Sequence, residues 1–289
     1  MAAVSGLAPA KVNLFLHVGP VEADGYHPLA SLVAFADIGD RVTVEPAERL
    51  SLTVAGPFAD ALDGPGDNLI LRALRALGEA AGIGEPALKV TLDKRLPIAA
   101  GLGGGSSDAG AALKLARDAL WLPLDDAALA QVAAGIGADG PMCLHARTAW
   151  AGGRGDRLRF EPALPPLPAL LVNPGAPSPT GAVYRAYDQG AARDADQPAP
   201  PSDWSPPAVV DWLAAQRNDL EAPAVALQPA IGEALAAVRG LPGARLTRMS
   251  GSGATVFALF DGAKAADQAG RVLAAQYPHW WIRSAILAG

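Results

Sequence analysis

Between positions 101 and 107 the chain reads Gly-Leu-Gly-Gly-Gly-Ser-Ser, with four glycines in five positions followed by two hydroxyls. Residues without a Cβ let a ligand reach the backbone and leave N–H groups exposed. Ahead of this segment Leu88, Val90 and Leu92 alternate with Lys89, Thr91 and Asp93, which predicts a strand running toward Pro97; behind it an Ala-rich stretch predicts a helix to about Leu120. A helix N-terminus carries partial positive charge and N–H groups with no partner inside the helix. Strand, glycine turn and helix together therefore suit a polyphosphate. The plainer reading is a flexible loop or a close packing point. The Ser106 and Ser107 hydroxyls are placed to reach a phosphate or a phosphate-bound Mg²⁺, and Asp108 to cap the helix.

The common phosphate loops do not match. A Walker A loop needs a lysine after its glycines, and none follows here. A dinucleotide fingerprint needs glycine at the sixth position from Gly101, where Ser106 stands, and the glycine loop of protein kinases lies in a β-hairpin rather than before a helix.

In 289 residues, 51% are hydrophobic and 18% charged, so the 32 glycines and 26 prolines belong to a globular chain rather than a solvated one. At that length one large domain or two smaller ones are expected. A formal net charge of −6 argues against nucleic acid or an anionic membrane as the main partner and favours small-molecule chemistry. Only five of the 23 basic residues are lysines (Lys11, Lys89, Lys94, Lys114 and Lys264), which makes each worth individual attention. Cys143 is the sole cysteine, so no internal disulfide or cysteine metal cluster forms. The N-terminal residues lack a basic segment followed by an apolar run, and no apolar stretch is long enough to span a bilayer; a cytoplasmic protein is the expectation.

Further strands are predicted at Val12–Val18, Leu29–Asp37 and Arg41–Val44, and an amphipathic helix behind Asp67 as its N-cap, with another at Asp125–Ala134. Four prolines in Glu161–Pro168 suggest a hinge, which places the domains at 1–160 and 161–289. The second half predicts a strand at Ala169–Asn173 and a helix at Thr180–Asp188. After a surface loop over Gly190–Pro207, helices are expected at Ala208–Gln216 and Ala224–Val238. Strands at Ala244–Met249 and Thr255–Phe260, a helix at Ala263–Gln276 and a last strand at Trp280–Leu287 complete a β-α-β-β-α-β pattern of the ferredoxin-like kind.

The segment Leu96-Pro97-Ile98-Ala99-Ala100-Gly101-Leu102-Gly103-Gly104-Gly105-Ser106-Ser107-Asp108-Ala109 closely resembles the second motif of the GHMP kinases, the superfamily of galactokinase, homoserine, mevalonate and phosphomevalonate kinases. Ala8-Pro9-Ala10-Lys11-Val12-Asn13-Leu14 resembles its first motif, and Met249-Ser250-Gly251-Ser252-Gly253-Ala254-Thr255-Val256-Phe257 its third. Within the superfamily, Asp24-Gly25-Tyr26-His27, Gly137-Ala138-Asp139-Gly140-Pro141 and Arg217-Asn218-Asp219-Leu220-Glu221 are similar to the branch that phosphorylates a cytidylyl sugar alcohol in the non-mevalonate isoprenoid pathway. The order and spread of these segments cover the whole chain.

The resemblance implies an α+β, two-domain GHMP kinase fold. Its N-terminal ATP-binding domain is like domain 2 of ribosomal protein S5, and its C-terminal substrate domain is ferredoxin-like. It implies ATP and Mg²⁺ as cofactors, with ATP held by Pro97, Ala99, Ala100, Gly101, Leu102, Gly103, Gly104, Gly105, Ser106 and Ser107, by Asn68 on the adenine side, and Mg²⁺ met by Ser106 through the nucleotide. Asp139 is implied as the base that takes the substrate hydroxyl's proton, with Lys11 beside it to keep that carboxylate ionised and to offset developing charge. Read without the family, Asp139 is a turn residue and Lys11 an edge-strand lysine.

For the substrate, Tyr26 offers a ring for stacking and His27 a donor and an acceptor for a base edge, and the family places the cytidine there. Tyr184 matches a family aromatic closing the opposite face, with Thr180 near it, and Asn13 is implied to touch the sugar-alcohol hydroxyls. Alone, Tyr184 reads as a half-buried packing residue, Asn13 as an amide satisfying backbone, and Asn68 as a helix cap. His17, His145 and His279 are dispersed, Cys143 reads as packing, and Arg154 and Arg157 as solvated.

The predicted activity is transfer of the γ-phosphoryl group of ATP to the 2-hydroxyl of the cytidylyl methylerythritol, by a monomer or weak homodimer. The competing readings are a homoserine- or mevalonate-type kinase, disfavoured by Asp24–His27; a non-catalytic nucleotide-binding regulator, disfavoured by the presence of Lys11 and Asp139; and a nicotinamide oxidoreductase, disfavoured by Ser106.

Overall fold

The computed structural model describes residues 3–62, 68–191 and 193–288. It divides into two compact units, one of Met1–Ala10, Ile38–Ile98 and Gly103–Ala146, the other of Lys11–Asp37, Ala99–Leu102 and Arg147–Gly289. The sequence predicts a single break at 160/161; the units interleave instead, because β1 (Val4–Val18) and β2 (Leu29–Pro46) each run on from one unit into the other. The proline-rich Glu161–Pro168 lies wholly within the second unit.

β2 is one strand where the sequence predicts two. Gly39, in the gap between those two predicted strands, is required by a close strand approach: a Cβ there falls 2.1 Å from the Ala8 carbonyl oxygen.

In the first unit β3 (Ser51–Ala55) runs parallel to β4 (Leu88–Asp93), and β4 pairs antiparallel with the Arg41–Pro46 end of β2. A parallel pair needs a crossover, which α1 (Leu69–Ala80) supplies. The predicted cap Asp67 lies outside the described residues; Asn68 caps α1, its side chain accepting from the Ile70 N–H at 2.9 Å. α2 (Gly104–Ala119), α3 (Asp126–Ile136) and the short α4 (Gly140–His145) follow. Ile70, Leu74 and Leu77 of α1 share a core with Leu88, Val90 and Leu92 of β4 and with Leu113, Leu129 and Leu144. This is the alternation and helical spacing that the sequence shows.

The second unit holds β5 (Ala149–Gly153), β6 (Arg157–Phe160), β7 (Leu167–Asn173), α5 (Thr180–Tyr187), α6 (Pro206–Ala214), α7 (Glu221–Leu227), α8 (Pro229–Arg239), β8 (Leu246–Met249), β9 (Val256–Leu259), α9 (Ala263–Gln276) and β10 (Trp281–Ala288). Its strands lie in the order β10-β7-β9-β8, every pair antiparallel, as the ferredoxin-like pattern predicts. β10 also pairs with β2 at Ala36 and Phe35, and β5 pairs with β2 on one side and β6 on the other. The single helix predicted over Ala224–Val238 is two, broken at Gln228, because Pro229 bars the helical conformation from the residue before it and donates no N–H.

The stretch from Gly190 to Pro207 has no strand among its described residues, and α6 begins inside it at Pro206. It is tied down more firmly than its composition predicts. Carbonyls of Asp194, Asp196 and Ala199 meet Arg217 Nη2, His17 Nδ1 and Trp212 Nε1 at 2.8, 2.8 and 3.0 Å. His17 is correspondingly structural: it packs on Phe15 with ring centres 4.8 Å apart, and burial lowers its pKa.

The Arg217-Asn218-Asp219 run fastens the end of β1 and the Met249–Phe257 motif within the second unit. Asp219 accepts the Val18 N–H at 2.9 Å, while Asn218 Nδ2 donates to the carbonyls of Met249 and Gly251 at 2.8 Å each. Asn218→Ala strands both carbonyls in a buried place, so unfolding by urea should show a loss of about 1–3 kcal/mol.

Candidate active site

The glycine segment opens α2. Gly103 is its N-cap residue, in the left-handed region at φ 62°, ψ 19°, and no side chain caps the helix. Asp108, predicted as a cap, sits further along the helix and turns inward. The first-turn N–H groups of α2 are thus left to backbone geometry alone, as a phosphate site requires. Gly105 is exposed, Ser106 half-buried, and the buried Ser107 hydroxyl has no hydrogen-bond partner among the described residues. The start of α1 adjoins this turn, since a Cβ on Gly105 falls 3.2 Å from Leu69, next to Asn68. Pro97, earlier in the same motif, is buried.

Beneath the turn lies a charge cluster that no local sequence signal marks. Lys94 Nζ donates to Asp40 at 2.6 Å and to Asp108 at 2.7 Å, and lies 3.0 Å from the position of a Cβ on Gly104. All three side chains are buried. Asp40 also accepts the N–H groups of Arg95 and Leu96 at 2.5 and 2.8 Å. Burial works against the Lys94 charge, but Asp108 and Asp40 outweigh it and hold the ammonium above its ordinary range. Asp108 is less well served, with one oxygen lacking any partner among the described residues, and burial pushes its carboxyl up to about 7 against the pull of Lys94.

Asp139 is half-buried in the turn that leads into α4, as its reading without the family expects, and its side chain makes no cap hydrogen bond to that helix. Cys143, four residues on, is buried as expected.

Within the second unit three distant segments meet. Lys11 N–H donates to Leu102 O at 2.8 Å, and Thr255 N–H to Ala100 O at 3.0 Å. Ser250 Oγ donates to Gly101 O at 2.9 Å while accepting the Asn13 N–H at 3.1 Å, across 237 positions of sequence. Gly101, at φ +73°, has no room for a side chain, since a Cβ would lie 2.2 Å from Ser250 O. Ala99 is exposed with φ 51°. The Lys11 side chain is only 7% exposed, an unusual place for a lysine without a task. Asn13 Nδ2 donates to Ser31 at 2.8 Å, whereas its buried Oδ1 has no partner among the described residues.

The same unit assembles the predicted base-binding residues. The His27 and Tyr184 rings lie 5.0 Å apart at 33°, and Tyr187 packs edge-on to His27. Both His27 nitrogens already face acceptors, Gly19 O at 2.9 Å and the Asp188 carboxylate at 3.2 Å. The imidazole is therefore held from two sides, and Asp188, unremarked in the sequence, is its anchor. The Thr180 hydroxyl bonds Ser252 Oγ at 2.9 Å. Tyr26 is 54% exposed, and the guanidinium of Arg154, read in sequence as solvated, lies over its ring.

Residues 68–147 match the GHMP kinases N-terminal domain, and residues 210–279 the GHMP kinases C-terminal domain. The 4-diphosphocytidyl-2-C-methyl-D-erythritol kinase of Caulobacter vibrioides (strain NA1000 / CB15N) is 55% identical over 283 residues, 97% of this chain and 98% of that protein. The chain belongs to the 4-diphosphocytidyl-2-C-methyl-D-erythritol kinase family of GHMP kinases. A crystal structure of 4-(cytidine 5'-diphospho)-2C-methyl-D-erythritol kinase covers 99% of the chain and all of its own at TM-score 0.80 and 37% identity. A homoserine kinase from Cytophaga hutchinsonii, at TM-score 0.68 and 18% identity over 99% of this chain and 94% of its own, shares the fold. The chain is accordingly a kinase of two-domain GHMP fold that uses ATP. Among the described residues no helix is long and apolar enough to cross a membrane.

The cluster beneath the loop gives this kinase a pH signature. Native Asp108 keeps its proton to about pH 7, whereas in an unfolded chain the group releases it near the ordinary carboxylate value of 3.8. The native state therefore binds the extra proton between these values, and the contribution present below about pH 4 is lost as the pH rises through 7. Asp108→Asn should flatten that part of the stability profile in thermal melts from pH 4 to 8, and should be more stable than the parent at the alkaline end.

Proposed function

We propose that the chain transfers the γ-phosphoryl group of ATP to the 2-hydroxyl of 4-diphosphocytidyl-2-C-methyl-D-erythritol, a step in the supply of isoprenoid precursors by the non-mevalonate route. The observation that carries the substrate assignment is the aromatic group of His27 and Tyr184, with exposed Tyr26 next in the chain and the imidazole fixed by Gly19 O and Asp188. Such faces suit a pyrimidine, while a homoserine or mevalonate chain has nothing to stack.

The α- to γ-phosphates lie along the N-terminal turn of α2, where uncapped N–H groups and the partial charge of the helix meet them, with Asn68 and the start of α1 on the adenine side. The donors at that turn are hydroxyls and N–H groups, and among the described residues no three His, Cys, Asp or Glu gather to hold a metal. The N–H groups suit the phosphates, and the Ser106 hydroxyl oxygen would be the protein ligand of a Mg²⁺ carried in on the nucleotide. Bound there, Mg²⁺ would offset charge on the phosphates.

Asn13 Oδ1, buried and without a partner among the described residues, is a ready acceptor for a substrate hydroxyl. Asp139 takes the proton of the 2-hydroxyl as its oxygen bonds to the γ-phosphorus and the bond to the β,γ-bridging oxygen breaks, releasing ADP. Lys11 supplies the positive charge that keeps the carboxylate ionised and meets the charge spreading over the transferred group.

An ADP-release assay over a panel of the cytidylyl substrate, homoserine and mevalonate tests this reading. Turnover should appear with the cytidylyl substrate, and Asp139→Asn should lower kcat by about 10²- to 10⁴-fold. Turnover confined to homoserine or mevalonate, or an undiminished Asp139→Asn, overturns it.

A further inference from the structure

Arg154 is the unassigned residue whose surroundings point most clearly to a role. It stands in the turn between β5 and β6, where Gly153 and Gly155 adopt φ of +64° and +96° and its own N–H donates to Asp156 Oδ1 at 2.9 Å. The turn is thereby fixed and its side chain directed. The guanidinium carbon lies 4.1 Å from the centre of the Tyr26 ring, and a guanidinium nitrogen pairs with one oxygen of Asp24. The other Asp24 oxygen accepts the Tyr26 N–H at 3.0 Å. β5 is hydrogen-bonded to β2 with Gly153 opposite Leu29, so the turn that bears Arg154 and the loop that bears Asp24 and Tyr26 both adjoin paired strands.

An exposed tyrosine on a loop ordinarily samples several rotamers, and a base stacking on it must overcome that entropy. Here one face is covered by a planar cation, a favourable partner for the ring. Even so, 54% of Tyr26 remains exposed.

We propose that Arg154 is a positioning residue for the pyrimidine: through its contact with Tyr26 and its pair with Asp24 it holds the Tyr26 ring as a ready-made stacking surface, and it touches neither ATP nor the reacting atoms. The proposal rests on the reading that Tyr26 receives the cytosine.

Steady-state kinetics of Arg154→Ala, Arg154→Lys, Tyr26→Ala and the double variant Arg154→Ala/Tyr26→Ala, each checked for an unchanged melting temperature, test it. Arg154→Ala should raise KM for the cytidylyl substrate by about two- to tenfold with kcat and KM for ATP unchanged. Arg154→Lys, which keeps the charge and loses the plane, should fall between. In the Tyr26→Ala background, removing Arg154 should add nothing further. An unchanged or lowered substrate KM in Arg154→Ala, or an equal increase with and without Tyr26, overturns the positioning role. A defect in Tyr26→Ala with Arg154→Ala silent removes Arg154 alone; a silent Tyr26→Ala removes the base-stacking reading as well.

Discussion

A single hydroxyl joins three distant segments of the second unit. Ser250 Oγ lies between the Asn13 N–H and the Gly101 carbonyl, and Gly101 packs so closely on Ser250 that no side chain fits between them. This bond fixes the backbone around Lys11 and Asn13 against the entry to the glycine segment. It is fixed in turn by Asn218, which holds the carbonyls on either side of Ser250, at Met249 and Gly251. These groups are polar and wholly or partly buried, so losing one partner leaves the others unsatisfied. The arrangement is therefore cooperative, and glycine and serine stand at these positions because of distance rather than flexibility.

The first unit solves a different problem. An N-terminal turn that is to receive phosphates has to present unpaired N–H groups, and a side-chain cap would compete for them. α2 begins on a left-handed glycine with no such cap. Lys94 then brings a positive charge against Gly104, where it repels the positive end of the helix but favours an anion on the turn. Asp40 and Asp108 compensate the lysine from below. With two carboxylates to one ammonium the cluster would carry excess negative charge under an anion site, and the raised pKa of Asp108 reduces that excess.

Local chemistry was legible in the sequence wherever neighbours along the chain decide it. The glycine turn that opens α2, β4, α9 and the ferredoxin-like order all follow from periodicity and from glycine placed before a helix. What escaped depends on partners distant in sequence. Lys94 meets Asp40 across 54 positions, Gly39 is a glycine because Ala8 comes close, and Asp188 has its role only because His27 lies beside it. β3, β5 and β6 are five residues or fewer and, unlike the equally short but fully apolar β9, are each only partly buried, so no apolar run marks them. Interleaving of the two units is equally invisible to a reading that looks for a linker, since here the chain passes between them along unbroken strands.

The two ends of the proposed reaction are recognised by different kinds of group, and this bears on how each tolerates change. The phosphate end relies on backbone N–H groups and on residues without side chains, so it is sensitive to any substitution that adds a Cβ at Gly101 or shifts Gly103 from its left-handed conformation. The base end relies on side chains held by other side chains: His27 by Asp188, Tyr26 by Arg154 and Asp24. Backbone recognition reads a polyphosphate common to many substrates and carries little discrimination. Selectivity for one nucleobase has to come from the side-chain end, where rigid aromatic faces cost least entropy to order. Residues that hold those faces still then affect specificity as much as the residues that touch the base.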